Sequence, residues 1–346
     1  MMALQHIDIP DQLAQIPVGH GISVLTAEQF QREAPDAHWV LQDDIGLRAR
    51  CSLWWRQVPT LPGKILGVVG HYAAADEAGA IALLTHAQTE LAQQGCTYAI
   101  GPMDGTTWQR YRLVSGSPTE GQPEPPFFLE PTNPEEWNRH FSQTGFAPIA
   151  TYSSALNLDL GQRDERLGKV AVRLERQGVR VRSLDLAQFE AELQRIYALS
   201  CESFQHNFLY TPISAEAFNV QYMKVQPYVR SEFVLLAEKL TDPSTHVLSR
   251  DLVGFLFAIP DWLEAQRGEA LTTLIVKTVA VKPGRTYAGL GSYLVDQVQA
   301  IAHQQGYTRA IHALMYDQNP SRNISDRFAY PMRRYTLYGK ALGMAV

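Results

Sequence analysis

The sequence predicts a fold of the α/β (α+β) class, in which two tandem domains each contain a mixed β-sheet flanked by helices. Three observations support this prediction. The chain has 346 residues, which is long for one domain and suitable for two. Apolar residues make up 45% of the chain and charged residues 19%, as in ordinary globular proteins. A strand–helix–strand pattern also occurs in both halves of the chain.

The first domain is expected at residues 21–160, after an N-terminal arm at residues 1–20 that contains two prolines and little periodicity. A helix is predicted at 77–94, because Ile81, Leu84, Ala87 and Leu91 keep helical spacing and Gly95 can end it. Proline, glycine and serine in the segment from 115 to 126 predict a loop. Strands are predicted at 21–26, 38–42, 47–58, 64–73, 97–100 and 146–158.

A connecting helix is predicted at 161–178, because Leu167, Val170 and Leu174 share one helical face. The second domain follows at 179–346. Strands are predicted there at 179–184, 233–238, 252–259, 273–281, 308–315 and 334–342, and helices at 187–202, 215–225, 289–305 and briefly near 324–328. Strands and helices in this order predict a mixed sheet with helices on both faces.

The two halves also align with each other. The Gln-Gln-Gly turns that end at Gly95 and Gly306 are 211 positions apart (306 − 95). At this offset the helix at 77–94 falls on the helix at 288–305, and the strands on either side correspond as well. This correspondence indicates a tandem duplication.

Composition excludes several classes of protein. The net charge is −5, without the basic excess that a dedicated nucleic-acid-binding protein usually shows. Cys51, Cys96 and Cys201 are far apart and form no metal-binding or disulfide pattern. The longest apolar stretch, 252–259, is too short to span a bilayer, and no signal peptide is recognisable. We therefore expect a cytoplasmic protein that binds no metal, nucleic acid or membrane.

Residues 279–292 carry the strongest chemical signal. An apolar strand leads through a Pro-Gly turn to Gly289 and Gly291 at the start of a helix. The unpaired N–H groups of a helix N-terminus attract anions, and glycines allow close approach of a phosphate. Arg285 adds a positive charge. The segment lacks the acidic residue of a dinucleotide-binding fold and the Lys of a Walker loop. A plain turn whose glycines serve packing remains the alternative.

The order of elements, the strand at 279–281, the Arg-x-x-x-Gly-x-Gly loop and an Asn after the next strand resemble the GNAT superfamily of N-acetyltransferases. The resemblance covers about 179–342. The segment HALMYDQNPSRNIS and the ending RRYTLYGKAL resemble a bacterial branch with two tandem GNAT-like domains. In this sequence Thr286 stands where the family loop has Arg or Gln, and Arg285 lies one residue earlier.

The resemblance implies that the loop holds the pyrophosphate of acetyl-CoA and that the preceding strand pairs with its pantetheine arm. It also implies that Tyr330, or secondarily Tyr338, protonates the leaving thiolate. Asp261, at the end of a neighbouring strand, is a candidate base. The cofactor-binding residues implied are Val279, Ala280, Val281, Arg285, Tyr287, Ala288, Gly289, Leu290, Gly291, Ser292, Asn319 and Asn323.

The first half departs from this pattern, since Asp76 and Glu77 stand where the second half has its glycine loop. Two carboxylates oppose the binding of phosphates, so we expect the first domain to be a degenerate partner. The same carboxylates also favour a helix N-terminus.

These observations predict an acyl-CoA-dependent N-acyltransferase, in which an acceptor amine attacks the thioester directly. The acceptor, a small molecule or a peptide, is left open by the sequence. One alternative is a non-catalytic acyl-CoA-binding or interaction protein on the same scaffold. Another is a Fem-type peptidyltransferase that uses aminoacyl-tRNA, which the acidic isoelectric point and the lack of a helical arm disfavour.

Overall fold

The computed structural model describes residues 2–117, 124–240, 250–319, 325 and 327–343. The strands of the first half are β1 (Ala3–Ile7), β2 (Ala37–Asp43), β3 (Gly46–Trp54), β4 (Leu66–Ala74), β5 (Tyr98–Gly101), β6 (Leu113–Gly116) and β7 (Ala147–Asn157). Its helices are α1 (Ala27–Glu33), α2 (Glu77–Gln93) and α3 (Glu136–Gln143), and α4 (Arg166–Arg176) connects it to the second half.

The strands of the second half are β8 (Val179–Ser183), β9 (Val234–Leu240), β10 (Arg250–Pro260), β11 (Thr273–Val281), β12 (Arg309–Tyr316) and β13 (Tyr330–Ala341). Its helices are α5 (Phe189–Phe204), α6 (Ala215–Met223), α7 (Trp262–Gln266) and α8 (Leu290–Gln304). Short 3-10 helices occur at Pro10–Gln15, Leu186–Gln188, Gln226–Tyr228 and Ser231–Phe233. The predicted α/β class is confirmed.

All these strands belong to one mixed sheet. Its order is β1-β2-β3-β4-β5-β13-β7-β12-β11-β10-β9-β8, and β6 pairs with β13 at the side. Two pairs are parallel, β4 with β5 and β11 with β12. Each parallel pair is joined by one helix, α2 in the first half and α8 in the second. The same strand–helix–strand unit therefore occurs in both halves.

The last strands of the two halves are exchanged in the middle of the sheet. β7 of the first half pairs with β12 of the second, with Leu156 opposite Ile311. β13 of the second half pairs with β5 of the first, with Gly339 opposite Ile100. β7 and β13 also pair with each other. The sheet is continuous for this reason, and the boundary expected near residue 160 does not divide it in space.

Helices cover both faces of the sheet in the second half. Leu235 and Ala237 of β9 belong to the core beneath α4 and α8. Val234 and Leu236 of the same strand pack beneath α5 and α6. Side chains of a strand alternate between the two faces of a sheet, so an almost continuous apolar run is needed where both faces are covered.

The first half differs from the sequence prediction at its start. Residues 3–7 form an edge strand on β2, and Ile7, Leu13 and Ile16 are buried in a core of their own. They are therefore part of the domain rather than an arm. The strand predicted at 21–26 is absent, and this described segment contributes only an isolated bridge between Gly19 and Ile22.

Other differences concern single elements. Ile81, expected on the buried face of α2, is 37% exposed, and Ala80 and Leu83 are buried in its place. The short helices α1, α3 and α7 were not predicted. The predicted loop at 115–126 and the short helix near 324–328 lie partly outside the described residues. No helix of the described residues combines the length and apolar character needed to cross a lipid bilayer.

Candidate functional site

The parallel strands β11 and β12 separate within the sheet of the second half. Their pairing begins at Thr273 and ends where Val276 lies opposite His312. β11 nevertheless continues to Val281. One edge of β11 is therefore not paired with β12 beyond Val276.

A bulge in β11 marks the point of separation. On the neighbouring strand β10, Phe257 lies opposite Thr278 and Ala258 lies opposite Val276. Lys277, between these two positions, has no opposite residue. Bulges of this kind redirect side chains and often occur beside active sites.

The unpaired edge of β11 offers backbone N–H groups. The N–H of Lys282 donates to the carbonyl of Val253 on β10 at 2.9 Å, so Lys282 faces β10. Successive residues of a strand present their backbone groups to alternate edges. Val279 and Val281 therefore face the other edge, and the carbonyl of Val281 accepts a hydrogen bond from Ser203 on α5 at 3.3 Å.

The loop after β11 contains eight residues (282–289) and ends at α8. Gly289 is the N-cap residue of α8, its φ is +83°, and none of the described side chains caps the helix. A Cβ at this position would lie 3.2 Å from the methyl groups of Val170 on α4. The left-handed backbone at this position favours glycine, and a side chain here would also press on Val170. Since Ala288 and Gly289 are exposed, the first turn of α8 can bind an anion through its N–H groups.

Helix α4 brings a second cation to this loop. The guanidinium of Arg173 donates to the carbonyl of Ala288, while Arg285 lies exposed within the loop. The sequence analysis identified Arg285 alone. Arg173 follows Val170 by three residues and so lies on nearly the same face of α4. This spacing is the sequence feature from which Arg173 could have been predicted.

The predicted cofactor-binding residues of β11, the loop and α8 form one continuous surface segment. The side chains of Ala280, Tyr287 and Leu290 are buried in the core, so these residues offer only backbone groups. The first turn of α8 contains Gly291 and Ser292, which are partly exposed.

A cavity of about 750 Å³ lies beside the open edge of β11, between the two halves of the chain. β11 contributes Lys277, Thr278 and Val279, and α5 and α6 contribute aromatic and aliphatic side chains. The first half contributes residues 107–112, 129–131 and Tyr152. A mainly apolar cavity with a few convergent polar groups is typical of small-molecule sites.

Lys277 is an ionisable group that the sequence analysis missed. Its ammonium donates to the carbonyl of Leu129 at 3.2 Å. Burial lowers the pKa of Lys277 to about 7, and the positive charge of Arg112 acts in the same direction, against Glu130. At neutral pH a large share of Lys277 is therefore uncharged and able to accept a proton. A lone lysine within the apolar strand TLIVKTVAV was the available signal.

Glu130 is the only carboxylate among the described residues that line this cavity. Its Oε1 accepts hydrogen bonds from Arg333 at 3.0 Å and from the hydroxyl of Tyr335 at 2.5 Å. Its Oε2 accepts one from the N–H of Phe127 at 3.2 Å. Burial raises the pKa of Glu130, although these partners oppose the shift. With both oxygens engaged, Glu130 is poorly placed to act as a base.

The two tyrosines expected to act as acids do not line the cavity. Tyr330 begins β13, is 41% exposed and pairs with Leu156. Tyr338 lies in the core of the first half, where its hydroxyl donates to Asn138 at 2.9 Å. The exchange of β13 into the first half separates both residues from the open edge of β11. Tyr316, at the end of β12, does line the cavity.

Three other predicted residues have different outcomes. Asn319 lies on the wall of the cavity, and Asn323 lies outside the described residues. Asp261 does not line the cavity, because it caps α7, and its Oδ1 accepts from the N–H groups of Phe128 at 2.8 Å and Leu263 at 3.2 Å. Asp261 therefore caps a helix and is not positioned to act as a base in the cavity.

The equivalent point of the first half has no such loop. Only Ala75 and Asp76 connect β4 to α2. Asp76 caps α2 by accepting from the N–H of Gly79 at 2.8 Å, and it pairs with Arg48 at 2.8 Å. The N–H groups that would meet a phosphate therefore already face a carboxylate, and the exposed Glu77 adds another.

Three side chains of residue types that can bind metals also lie close together in the first half. Glu33, His71 and Asp104 each place a ligand atom within 4.8 Å of the others, which their sequence spacing did not predict. Nε2 of His71 lies 2.5 Å from Oε2 of Glu33, and Nδ1 lies 2.8 Å from the hydroxyl of Ser52. Because hydrogen bonds engage both ring nitrogens, we assign no ion to this group.

No protein-family model and no curated protein matches this sequence. Solved structures do match it across nearly the whole chain. The tandem GNAT protein from the clavulanic acid biosynthesis pathway is 14% identical, with 100% of both chains covered and a TM-score of 0.50. The chain has the fold of the GCN5-related N-acetyltransferases (GNAT).

Two further structures share the GNAT fold with this chain. The GCN5-related N-acetyltransferase from Anabaena variabilis ATCC 29413 is 10% identical, with 99% of this chain and 73% of that one covered and a TM-score of 0.50. The glucosamine N-acetyltransferase region of a fungal multi-domain GH3 β-N-acetylglucosaminidase is 13% identical, with a TM-score of 0.53. The match covers 98% of this chain and 38% of that protein. At such identities the likeness is one of fold.

Proposed function

We propose that this protein is an acyl-CoA-dependent N-acyltransferase, with acetyl-CoA as the expected donor, and that its site lies at the open edge of β11. One observation carries the proposal: the free edge of β11, the uncapped start of α8 and the cavity at Lys277 adjoin one another. The GNAT fold supports it, since acyl transfer is the activity named for the structures that share this fold.

The residues present fit an acyl-CoA. The first turn of α8 offers N–H groups at Gly291 and Ser292 for a pyrophosphate, and Arg173 and Arg285 add positive charge beside it. Gly289 itself adds no side chain at the start of this turn, where a Cβ would lie 3.2 Å from the methyl groups of Val170. When bound, the thioester supplies an activated acyl group.

The open edge of β11 would orient and polarise that group. The backbone of Val279 and Val281 can pair with an extended amide-bearing chain, as a neighbouring strand would. The N–H of Val279 is the donor that we assign to the carbonyl oxygen, on which negative charge develops during attack.

We assign the proton transfers to two cavity residues. Neutral Lys277 accepts the proton of the acceptor amine, since its lowered pKa places it near the working pH. Tyr316 donates a proton to the leaving sulfur, since it lines the cavity and its hydroxyl, whose pKa burial raises above the ordinary value, is protonated at neutral pH. Tyr316 thus replaces Tyr330 and Tyr338 as our candidate acid.

We propose that the first half binds no acyl-CoA and instead completes the acceptor cavity. The two-residue connection before α2 and the capping carboxylate of Asp76 support this. Residues 107–112 and 129–131 of the first half line the cavity beside β11. This arrangement explains a tandem chain with one donor site.

Titration calorimetry with acetyl-CoA tests the proposal, with Gly291→Asp and Ala78→Asp as a matched pair. Each change puts a carboxylate in the first turn of an equivalent helix, where acidic residues favour helix formation. We expect one site per chain, lost in Gly291→Asp and kept in Ala78→Asp. Two sites would contradict a degenerate first half. Binding without acyl transfer to any amine would favour a non-catalytic binding protein, and absence of binding would refute the proposal.

A further inference from the structure

Arg112 lies against two aromatic rings at the junction of the two halves. Its guanidinium is 4.1 Å from the ring centre of Tyr111 and 4.2 Å from that of Tyr152. The residue is 8% exposed, and one of its Nη atoms donates to the hydroxyl of Tyr111 at 2.9 Å. The two ring centres are 5.6 Å apart and the ring planes are nearly perpendicular, at 83°, so the rings contact the guanidinium from adjacent directions and restrict its movement without enclosing it.

This buried cation has no carboxylate partner among the described residues. Its Nε is buried and has no hydrogen-bond acceptor there. Arg333, which is equally buried, instead pairs with Glu130 at 3.0 Å. Burying a charge is costly unless a group of opposite sign compensates for it. A buried guanidinium whose one hydrogen-bond partner among the described residues is the hydroxyl of Tyr111 therefore indicates a ligand that supplies the opposite charge.

The surroundings of Arg112 favour an anion. Arg112 lines the cavity beside β11, together with Arg110 and Lys277. Glu130, the carboxylate of this cavity, is already bound to Arg333 and Tyr335. Arg112 also lines an adjoining cavity of about 440 Å³ in the first half. Arg110 interacts with the carboxylate of Asp104 in that adjoining cavity, so among the described side chains of the larger cavity no carboxylate is left to balance Arg112.

We propose that Arg112 binds a carboxylate of the acyl acceptor, so that the acceptor is an amino acid with an apolar side chain. A carboxylate matches the edge of a guanidinium with two parallel hydrogen bonds. The cavity walls contributed by α5, α6 and β10, which include Phe189, Phe218 and Phe255, suit an apolar side chain. This inference rests on the proposed N-acyltransferase function.

A binding experiment tests the carboxylate site without any turnover. The probes for calorimetry are 3-phenylpropionate and its uncharged counterpart 3-phenylpropanamide. We expect the acid to bind at least about tenfold more tightly than the amide, since a hydrogen bond to a charged group is worth at least that factor. Arg112→Met should remove the difference, while Arg139→Met, an exposed change on α3, should leave it intact.

The wild-type comparison of acid and amide does not depend on how well Arg112→Met folds. Equal affinity for the two probes, or no binding of the acid, overturns the proposal. An acid preference that persists in a folded Arg112→Met variant overturns it as well.

A turnover experiment separates this inference from the proposed function. Release of CoA thiol from acetyl-CoA is followed with L-phenylalanine and with phenethylamine, which lacks the carboxylate. We expect kcat/KM to favour phenylalanine by at least about tenfold, and Arg112→Met to abolish this preference. Turnover that is equal for both amines refutes the carboxylate site alone. Acid-selective binding without any binding of acetyl-CoA refutes the N-acyltransferase function and leaves the carboxylate site standing.

Discussion

Replacing Lys277 by methionine should lower activity and, at neutral pH, raise stability. Methionine keeps the length of the side chain and removes its amine, which donates to Leu129. As the proposed base, Lys277 must be neutral to act. Its loss should lower kcat/KM by about 10²- to 10⁴-fold, the usual contribution of a general base.

The effect on stability follows from the pKa of Lys277. Burial lowers that pKa from 10.5 to about 7, while the unfolded chain keeps the ordinary value. Between these two pH values the unfolded state binds more protons, so the free energy of unfolding rises with pH in that window. A full shift of this size corresponds to about 5 kcal/mol. Between pH 7 and pH 9 the contribution of Lys277 to the free energy of unfolding should therefore increase by about 2 kcal/mol.

Two assays on the same variants check both effects. Urea unfolding at pH 7 and pH 9 should show the pH-dependent increase in the wild type and a smaller one in Lys277→Met. In the wild type, kcat/KM should fall as the pH decreases below about 7, where Lys277 is protonated. This decrease should be missing in Lys277→Met. Lys64→Met, an exposed change outside both cavities, is the control. The reasoning is refuted if kcat/KM of Lys277→Met still falls below pH 7. It is also refuted if the free energy of unfolding of Lys277→Met rises between pH 7 and pH 9 as much as that of the wild type.

Two further predictions concern the second half. Tyr316→Phe removes the proposed proton donor and should lower kcat with acetyl-CoA by about 10-fold or more. The Kd for acetyl-CoA, measured by calorimetry, should stay unchanged. An unchanged kcat would reject Tyr316 as the acid. Burial lowers the pKa of His312 from 6.5 to about 4, so the unfolded state binds more protons between these values and stability is lost as pH falls through this window. His312→Gln should flatten the decline of Tm between pH 6.5 and pH 4, and an equally steep decline would argue against a neutral buried His312.

The elements around the donor site could be predicted from local sequence patterns. β11 was predicted with its observed bounds, Thr273–Val281, because β-branched and apolar residues fill it. Gly289 and Gly291 at the start of α8 predicted a backbone that a phosphate can approach, and Gly289 has the left-handed conformation that favours glycine. Such features depend on residues within one or two turns of chain, which the linear sequence displays directly.

The proton-transfer residues could not be found in this way. The family resemblance implied Tyr330 as the acid, yet Tyr330 lies outside the cavity, on the far side of β7 from β12. Arg112 belongs to a segment without a recognisable motif, and its role depends on its contacts with the rings of Tyr111 and Tyr152. Contacts between residues far apart in sequence carry no local signal.

By itself, the sequence determined the α/β class, the repeated strand–helix–strand unit and the asymmetry between the glycine loop of one half and Asp76 in the other. Hydrophobic periodicity and the special backbone conformations of glycine depend on neighbouring residues, so they can be recognised directly in the linear sequence. Only the tertiary structure decided that β7 and β13 exchange places, that Lys277 sits at a bulge and that both halves share one cavity. These outcomes depend on pairing register and burial, which arise when distant segments pack together.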